Sequence, residues 1–202
     1  MSEVISLKRV IGITGGISSG KSFVCSYINK MGYIVLDCDK INKELSMINM
    51  PIYNKIVEEF GLDYLDSKNE IDKKKLGNLI FNNESAKIKL NNISHPLILK
   101  ELKKQIDNAN DEIIFVEIPL LFEAKLEYLC DKIICVYLPK DIQIKRLMNR
   151  DNISLEYAIN KINSQMPLEA KKELSDYIIY SDKSFDDTIC QINDIIDKIK
   201  GE

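Results

Sequence analysis

One run of eight residues constrains this chain more than any other: Gly15-Gly16-Ile17-Ser18-Ser19-Gly20-Lys21-Ser22, a match to G-x-x-x-x-G-K-[ST]. The pattern carries physical meaning only between a strand and a helix, and both flanks fit. Arg9–Ile13 is a short β-branched run. Ser22–Met31 reads as a helix, with Phe23, Val24, Tyr27 and Ile28 spaced to face a core and Gly32 to end it. Glycines let the backbone curl so that successive N–H groups point at phosphate oxygens, and the helix N-terminus adds partial positive charge. Lys21 would reach the β- and γ-phosphates, and the Ser22 hydroxyl would ligate Mg²⁺. A plain glycine turn at a strand–helix corner is the alternative, but it leaves the Lys-Ser pair unexplained. The loop predicts a nucleoside triphosphate ligand.

The rest of the chain alternates strand and helix. Tyr33–Leu36 is a second apolar run, closed by Asp37-Cys38-Asp39. Ile113–Ile118 and Lys132–Leu138 are continuous apolar runs, so both faces of their sheet should be covered by helices. Helices are predicted over Asp141–Arg150, over Ser154–Asn163 with Ser154 as N-cap, and over Asp186–Lys200 with Ile189, Ile192, Ile196 and Ile199 on one stripe. Tyr177–Tyr180 is the last strand expected. Between Lys40 and Ala109 the texture changes to short, half-apolar helical segments punctuated by Pro51 and Phe60-Gly61. They read as a helical insertion without a globular body of its own. The fold class is α/β, three layers around a parallel sheet.

A triphosphate site does not say what is done with the triphosphate. A GTPase needs a guanine-reading N-K-x-D; Asn-Lys occurs at Asn29, Asn42, Asn54 and Asn160, never with Asp in the fourth place. At 202 residues there is little room for a motor or transporter ATPase. A small-molecule kinase remains, and it needs a carboxylate on the acceptor side. Asp37 and Asp39 end the second strand, where a parallel sheet places functional residues. Two apart on an extended chain, they would point the same way. One would orient or deprotonate a hydroxyl nucleophile, and helix capping is the competing role. Arginine is scarce, three of the 28 basic residues, yet Arg146 and Arg150 lie one helical turn apart and suit a transferring phosphoryl group. The alternative for them is a solvated basic face. Glu117, in an otherwise apolar strand, stands where a carboxylate would hold a metal-bound water, or else a structural ion pair. His95 before Pro96 would bind substrate phosphate or simply pack.

Composition trims the alternatives. The net charge is −3, so non-specific nucleic-acid binding is not expected and any positive field must be local. No stretch of about 18 uncharged apolar residues suggests a membrane span. The five cysteines include no C-x-x-C pair and there is one histidine, so neither a disulfide framework nor structural zinc is expected. Reduced thiols and the lack of a signal-peptide pattern fit a cytoplasmic protein.

Blocks beyond the loop carry a family resemblance. In order, GITGGISSGKS, VLDCDKI, IFNNESAKIKLNNISHPLI, EIPLLFE, and KRLMNRDNIS followed by INSQMPLEAK resemble the dephospho-coenzyme A kinase family, over about Val10 to Asp182. The HPLI and PLLFE blocks discriminate, since other phosphate-loop kinases do not share them. The resemblance implies ATP-dependent phosphorylation of the ribose 3′-hydroxyl of dephospho-CoA, giving CoA and ADP. The nearest rival is another phosphate-loop kinase of nucleosides or nucleotides. A nucleotide-dependent switch without kinase activity is a more distant one.

The resemblance also implies three parts: a nucleotide-binding core of residues 1–39, 110–139 and 173–202, a helical substrate-binding region over 40–109, and a lid over 140–172. ATP would be held by residues 15–23, that is Gly15, Gly16, Ile17, Ser18, Ser19, Gly20, Lys21, Ser22 and Phe23. Catalysis would rest on Asp39, Lys21, Arg146 and Arg150, substrate binding on Asp37, Asp39 and His95, and Mg²⁺ on Ser22 and, through water, Glu117. ATP and dephospho-CoA are the implied partners, and a monomer is favoured because the last amphipathic helix can pack on the core. Five positions depart from the family pattern: Glu117 stands for an Asp, Phe23 for a Thr, and Lys73 for an Arg. Asn49-Met50-Pro51 replaces a Pro-Gly turn, and Ser181 or Asp182 replaces an Asn associated with adenine.

Overall fold

The computed structural model describes residues 8–202. They form two compact units, one of residues up to Leu36 together with Asn110–Glu202, the other Asp37–Ala109.

The first unit is built on a sheet of five strands: β1 (Arg9–Gly15), β2 (Ile34–Asp37), β3 (Ile113–Glu117), β4 (Lys132–Tyr137) and β5 (Tyr177–Tyr180), in the order β2-β3-β1-β4-β5. β1 runs parallel to both β3 and β4, and β4 parallel to β5. The glycine-rich loop therefore leaves the central strand at its carboxyl end, flanked by the ends of two strands distant in sequence. That is the place where an open parallel sheet leaves a crevice.

Alternation sorts the strand residues onto two faces. Ile11, Ile13, Ile113, Phe115, Ile134, Val136 and Ile179 pack with Val24 and Ile28 of α1 (Lys21–Lys30) and with Ile192, Ile195, Ile196 and Ile199 of α9 (Phe185–Gly201). Ile114, Val116 and Cys135, on the opposite face, are also fully buried. The sheet thus has no wet face, as its unbroken apolar runs predicted. The stripe on α9 differs in detail: Thr188 and Ile195 are buried where Ile189 is only half-buried, since Thr188, Ile192, Ile195, Ile196 and Ile199 share one helical face, and the helix starts at Phe185 behind a Ser184–Asp187 capping box. On α1, Phe23 is not a core residue; its ring lies 4.8 Å from that of Phe185.

Three further helices follow the central strands. They are α6 (Lys140–Asp151), α7 (Leu155–Asn163), N-capped by Ser154, and α8 (Leu168–Glu173). Leu147, Ala158 and Ile162 join α6 to α7, and α8 packs on β4.

The second unit holds α2 (Cys38–Leu45), α3 (Pro51–Phe60), α4 (Lys73–Asn82) and α5 (Glu84–Asn108). Helices α2, α3 and α4 all pack on α5, which runs 25 residues through Pro96. Reading this region as short helices with no body of their own is therefore corrected. Each segment is half apolar, as its sequence says, but α5 is long enough for all three to bury their stripes against it. Ile41, Leu45, Ile52, Ile56, Leu76 and Leu102 are among the buried positions. Pro51 sits at the first turn of α3 and Gly61 at its end.

Candidate active site

The loop from Gly15 to Ser22 closes on itself before any ligand is considered. Gly20 adopts φ 97, ψ 12 as the N-cap of α1, a conformation that costs glycine little and other residues more. Ser19 N–H donates to the Gly16 carbonyl at 3.2 Å, and Ser18 sits at φ 58. At the start of α1 the Phe23 and Val24 N–H groups donate to the Gly20 carbonyl at 3.1 and 3.3 Å, so the mouth of the loop opens at the positive end of the helix. Lys21 folds over that mouth: its Nζ donates to the carbonyls of Gly15 (3.1 Å) and Gly16 (2.9 Å). Ser22 is exposed at the start of the helix. Phe23 follows, its ring tilted against that of Phe185 as described.

Glu117 ends β3 in register with Ile13, two residues before the loop begins. Its neighbour Ile118 donates to the Ile13 carbonyl at 2.9 Å, and Thr14 Oγ1 donates to the Pro119 carbonyl at 3.3 Å. Among the described residues no group of three or more His, Cys, Asp and Glu is arranged to hold a metal ion. Ser22, in the first turn of α1, and Glu117, at the end of the neighbouring strand, are nonetheless hard oxygen donors, and Mg²⁺ in such sites takes one or two protein oxygens and leaves the rest to phosphate and water. The donor set fits that ion.

The two arginines part company. Arg146 NH2 donates to the Ser181 carbonyl at 2.7 Å, and its NH1 lies 3.9 Å from where a Cβ on Gly20 would stand. Ser181 Oγ donates to the Ser19 carbonyl at 2.6 Å, which ties the end of β5 to the loop. Arg150, one turn on, is instead paired with its neighbour Asp151 at 2.8 Å, and Lys161 shares that carboxylate at 3.1 Å. The Arg150 hydrogen bond holds the Asp151 carboxyl down at about 2. The expected shared face thus presents one arginine at the loop and one bound to a carboxylate.

Asp37, Asp39 and His95 belong to the second unit. Asp37 ends β2 and caps α2, accepting from the N–H groups of Asp39 (2.8 Å) and Lys40 (3.1 Å). Asp39 lies in the first turn of α2. The picture of two carboxylates on one extended run is therefore corrected: the chain turns helical at Cys38, so Asp37 does the capping and Asp39 faces elsewhere. Asp39 lines a groove of about 870 Å³ with Lys43, Met47, Ile52, Leu76 and Ile80. His95 is exposed in mid-α5.

Residues not singled out in the sequence complete the first unit's site. Ile17 is gripped by Gln143 and Gln165, at 2.7 and 2.9 Å. Lys171, with no exposed surface, bonds Glu123 at 2.8 Å and the Pro119 carbonyl at 2.8 Å. Glu123 also accepts from Met166 N–H at 2.9 Å. Cys135, on β4, has its thiol pushed up to about 11 by burial, against the opposing pull of Lys171 and Lys21. The Tyr137 hydroxyl donates to Glu169, which pushes the phenol up to about 12 and holds the carboxyl below its ordinary value. Only Gln143 left a trace in the sequence, standing four residues before Leu147 on the buried stripe of α6.

A glycine-rich loop on the central strand of a parallel sheet, with an arginine from a following helix beside its Gly20, is the arrangement of phosphate-loop kinases. Shikimate kinase from Bacteroides thetaiotaomicron shares the fold at a TM-score of 0.52 and 12% identity, covering 95% of this chain and 98% of its own. Closer comparisons narrow the class. The dephospho-CoA kinase family profile matches residues 9–187. Dephospho-CoA kinases from Carboxydothermus hydrogenoformans (40% identical, covering 95% of this chain and 94% of that one) and Bacillus licheniformis (41%, 93% and 95%) are similar along nearly their whole length. The dephospho-CoA kinase from Campylobacter jejuni superposes with a TM-score of 0.71 at 36% identity, covering 96% of this chain and 98% of that one. For TT1252 from Thermus thermophilus the score is 0.83 at 27% identity, with 95% and 97% covered. The chain belongs to the dephospho-CoA kinase family.

Proposed function

We propose that this protein transfers the γ-phosphoryl group of ATP to the ribose 3′-hydroxyl of dephospho-CoA, yielding CoA and ADP, the last step of coenzyme A biosynthesis. The observation that carries the reading is the similarity to dephospho-CoA kinases at about 40% identity over more than nine-tenths of both chains. The loop geometry supports it, since Lys21 and the inward amides can hold a triphosphate tail.

The parts divide the work as follows. Gly15–Phe23 bind ATP, with Lys21 neutralising charge on the β- and γ-phosphates. Ser22 and, through water, Glu117 would hold Mg²⁺, which would withdraw charge from the phosphate oxygens. Asp39 orients the acceptor hydroxyl and takes its proton as the oxygen bonds to the γ-phosphorus, while the bond to the β–γ bridging oxygen breaks and ADP leaves. Arg146 stabilises the phosphoryl charge, and Arg150 joins it on releasing Asp151. Residues 40–109 receive the acceptor. The groove beside Asp39 supports this role, with apolar walls for an extended arm and lysines for phosphate. Asp37 shapes that site by capping α2, and His95 contacts the substrate. Residues 140–172 act as a lid that excludes water and so suppresses ATP hydrolysis. Of the remaining described residues, 8–36, 110–139 and 173–202 form the nucleotide-binding core, and the boundary expected at residue 39 moves to Leu36 because Asp37 and Asp39 go with the second unit. The protein works as a cytoplasmic monomer on ATP and dephospho-CoA.

ADP release measured across an acceptor panel tests the assignment. Dephospho-CoA should support turnover, and nucleosides and nucleoside monophosphates should not. Preference for a nucleoside or nucleotide would move the chain to a different acceptor.

A further inference from the structure

The phosphate loop is gripped from outside as well as by its own turn. Ile17 gives both of its peptide groups to glutamine side chains. Its N–H donates to Gln165 Oε1 at 2.9 Å, just after α7, and its carbonyl accepts from Gln143 Nε2 at 2.7 Å, on α6. Gln143 is 2% exposed, and a Cβ on Gly16 would stand 2.4 Å from its Nε2, so the glycine is needed there for the grip to form. Gln165 is itself anchored. Its neighbour Met166 bonds Glu123, Glu123 bonds the buried Lys171, Lys171 bonds the Pro119 carbonyl, and Thr14 of β1 bonds that same carbonyl. A continuous polar chain thus runs from the tip of the loop back to the strand that feeds it.

We infer that Gln143 and Gln165 are positioning residues for the triphosphate. By fixing the two peptide planes of Ile17 they hold the Gly16–Ser19 turn, in which Ser18 sits at φ 58, and so aim the amides that follow. Primary amides suit the task because one must donate and the other accept without adding charge beside an anion. A preorganised cradle spends no binding energy on ordering itself, so triphosphate affinity depends on side chains that need not touch the nucleotide. The inference rests on the loop being the triphosphate site, and its test uses no acceptor substrate.

The experiment is a binding titration of Mg·ATP on the full chain, with competition by inorganic tripolyphosphate. Gln165→Met keeps volume and removes the acceptor at a half-buried position. Gln143→Met does the same for the donor, and if it fails to fold the Gln165 variant stands alone. Each lost hydrogen bond should weaken ATP about three- to ten-fold. Tripolyphosphate, which has neither base nor sugar, should weaken by the same factor. The double variant should fall short of the product of the two single effects, since both act on one residue. Unchanged ATP affinity, or weaker ATP with tripolyphosphate competing as before, overturns the inference. An assay in which dephospho-CoA fails as acceptor while these affinities shift as described would sink the proposed reaction and leave the positioning role standing.

Discussion

The ammonium of Lys171 has no exposed surface and lies 2.8 Å from the carboxylate of Glu123. A lysine in such a place is tolerated only because Glu123 and the Pro119 carbonyl both accept from it. Removing one partner leaves the other to be desolvated alone. Lys171→Met should cost about 3 kcal/mol, the low end of the range for a broken buried pair, because the Glu123 side chain keeps 23% of its surface. Denaturant unfolding measures this directly. A loss below about 1 kcal/mol would show that the pair adds nothing beyond packing.

Lys21 sits on carbonyls that a triphosphate would relieve it of, those of Gly15 and Gly16. Lys21→Ala removes the charge aimed at the transferring group while leaving the strand–loop–helix core intact. Turnover should fall by about 100-fold or more, as when one preorganised donor is removed from a transition state. The melting temperature should change little. Near-normal kcat would place the phosphate elsewhere.

Asp39 carries the proposed proton acceptor role, and Asp37 the cap. Asp39→Asn should lower kcat by about 100-fold or more with ATP affinity unchanged. Asp37→Ala should instead cost about 1 kcal/mol of stability through the lost cap on α2, which accepts from Asp39 and Lys40. Steady-state kinetics and thermal melts on the two variants separate the roles. An Asp39→Asn enzyme with full kcat transfers the role to Asp37 or to the substrate.

Tyr137 and Glu169 set an alkaline limit on the contact between β4 and α8. The hydrogen bond raises the phenol from its ordinary 10.0 to about 12 and lowers the carboxyl from 4.5. The folded state therefore holds the proton on Tyr137 more tightly than the unfolded chain does. That contribution is complete below pH 10 and is lost as pH rises towards 12. The Glu169 contribution is complete above 4.5 and is lost as pH falls below it. Spectrophotometric titration of the tyrosines should show late ionisation, diminished in Glu169→Gln. If the phenols all ionise near 10, or if Glu169→Gln leaves the late fraction unchanged, the bond is absent in solution.

How much of this was legible in the sequence follows from the range of the interactions involved. β5 was expected and found at Tyr177–Tyr180, and Ser154 was expected and found as the cap of α7, because apolar runs and caps are local patterns. The loop was equally legible, since its geometry is dictated within eight residues. Asp37 and Asp39 read as neighbours on an extended chain because either aspartate could cap the helix that follows, and only the fold shows that Asp37 does so and the helix starts at Cys38. The grip of Gln143 and Gln165 on Ile17 spans 126 and 148 residues of sequence, and the Lys171 bond to Pro119 spans 52. A lone glutamine or a lysine in a charged segment gives no sign of such a partner. The length of α5 is not legible because a half-apolar texture reads as short helices, and Pro96 inside it removes only one amide, which does not end a helix packed along its length.

The central claim is tested most directly by incubating the purified protein with Mg·ATP and dephospho-CoA and locating the transferred phosphate by phosphorus NMR and mass spectrometry. The account predicts one CoA formed per ADP released, with the new phosphate on the ribose 3′-oxygen. ATP consumed without CoA, or a phosphate found on any other atom, would contradict it.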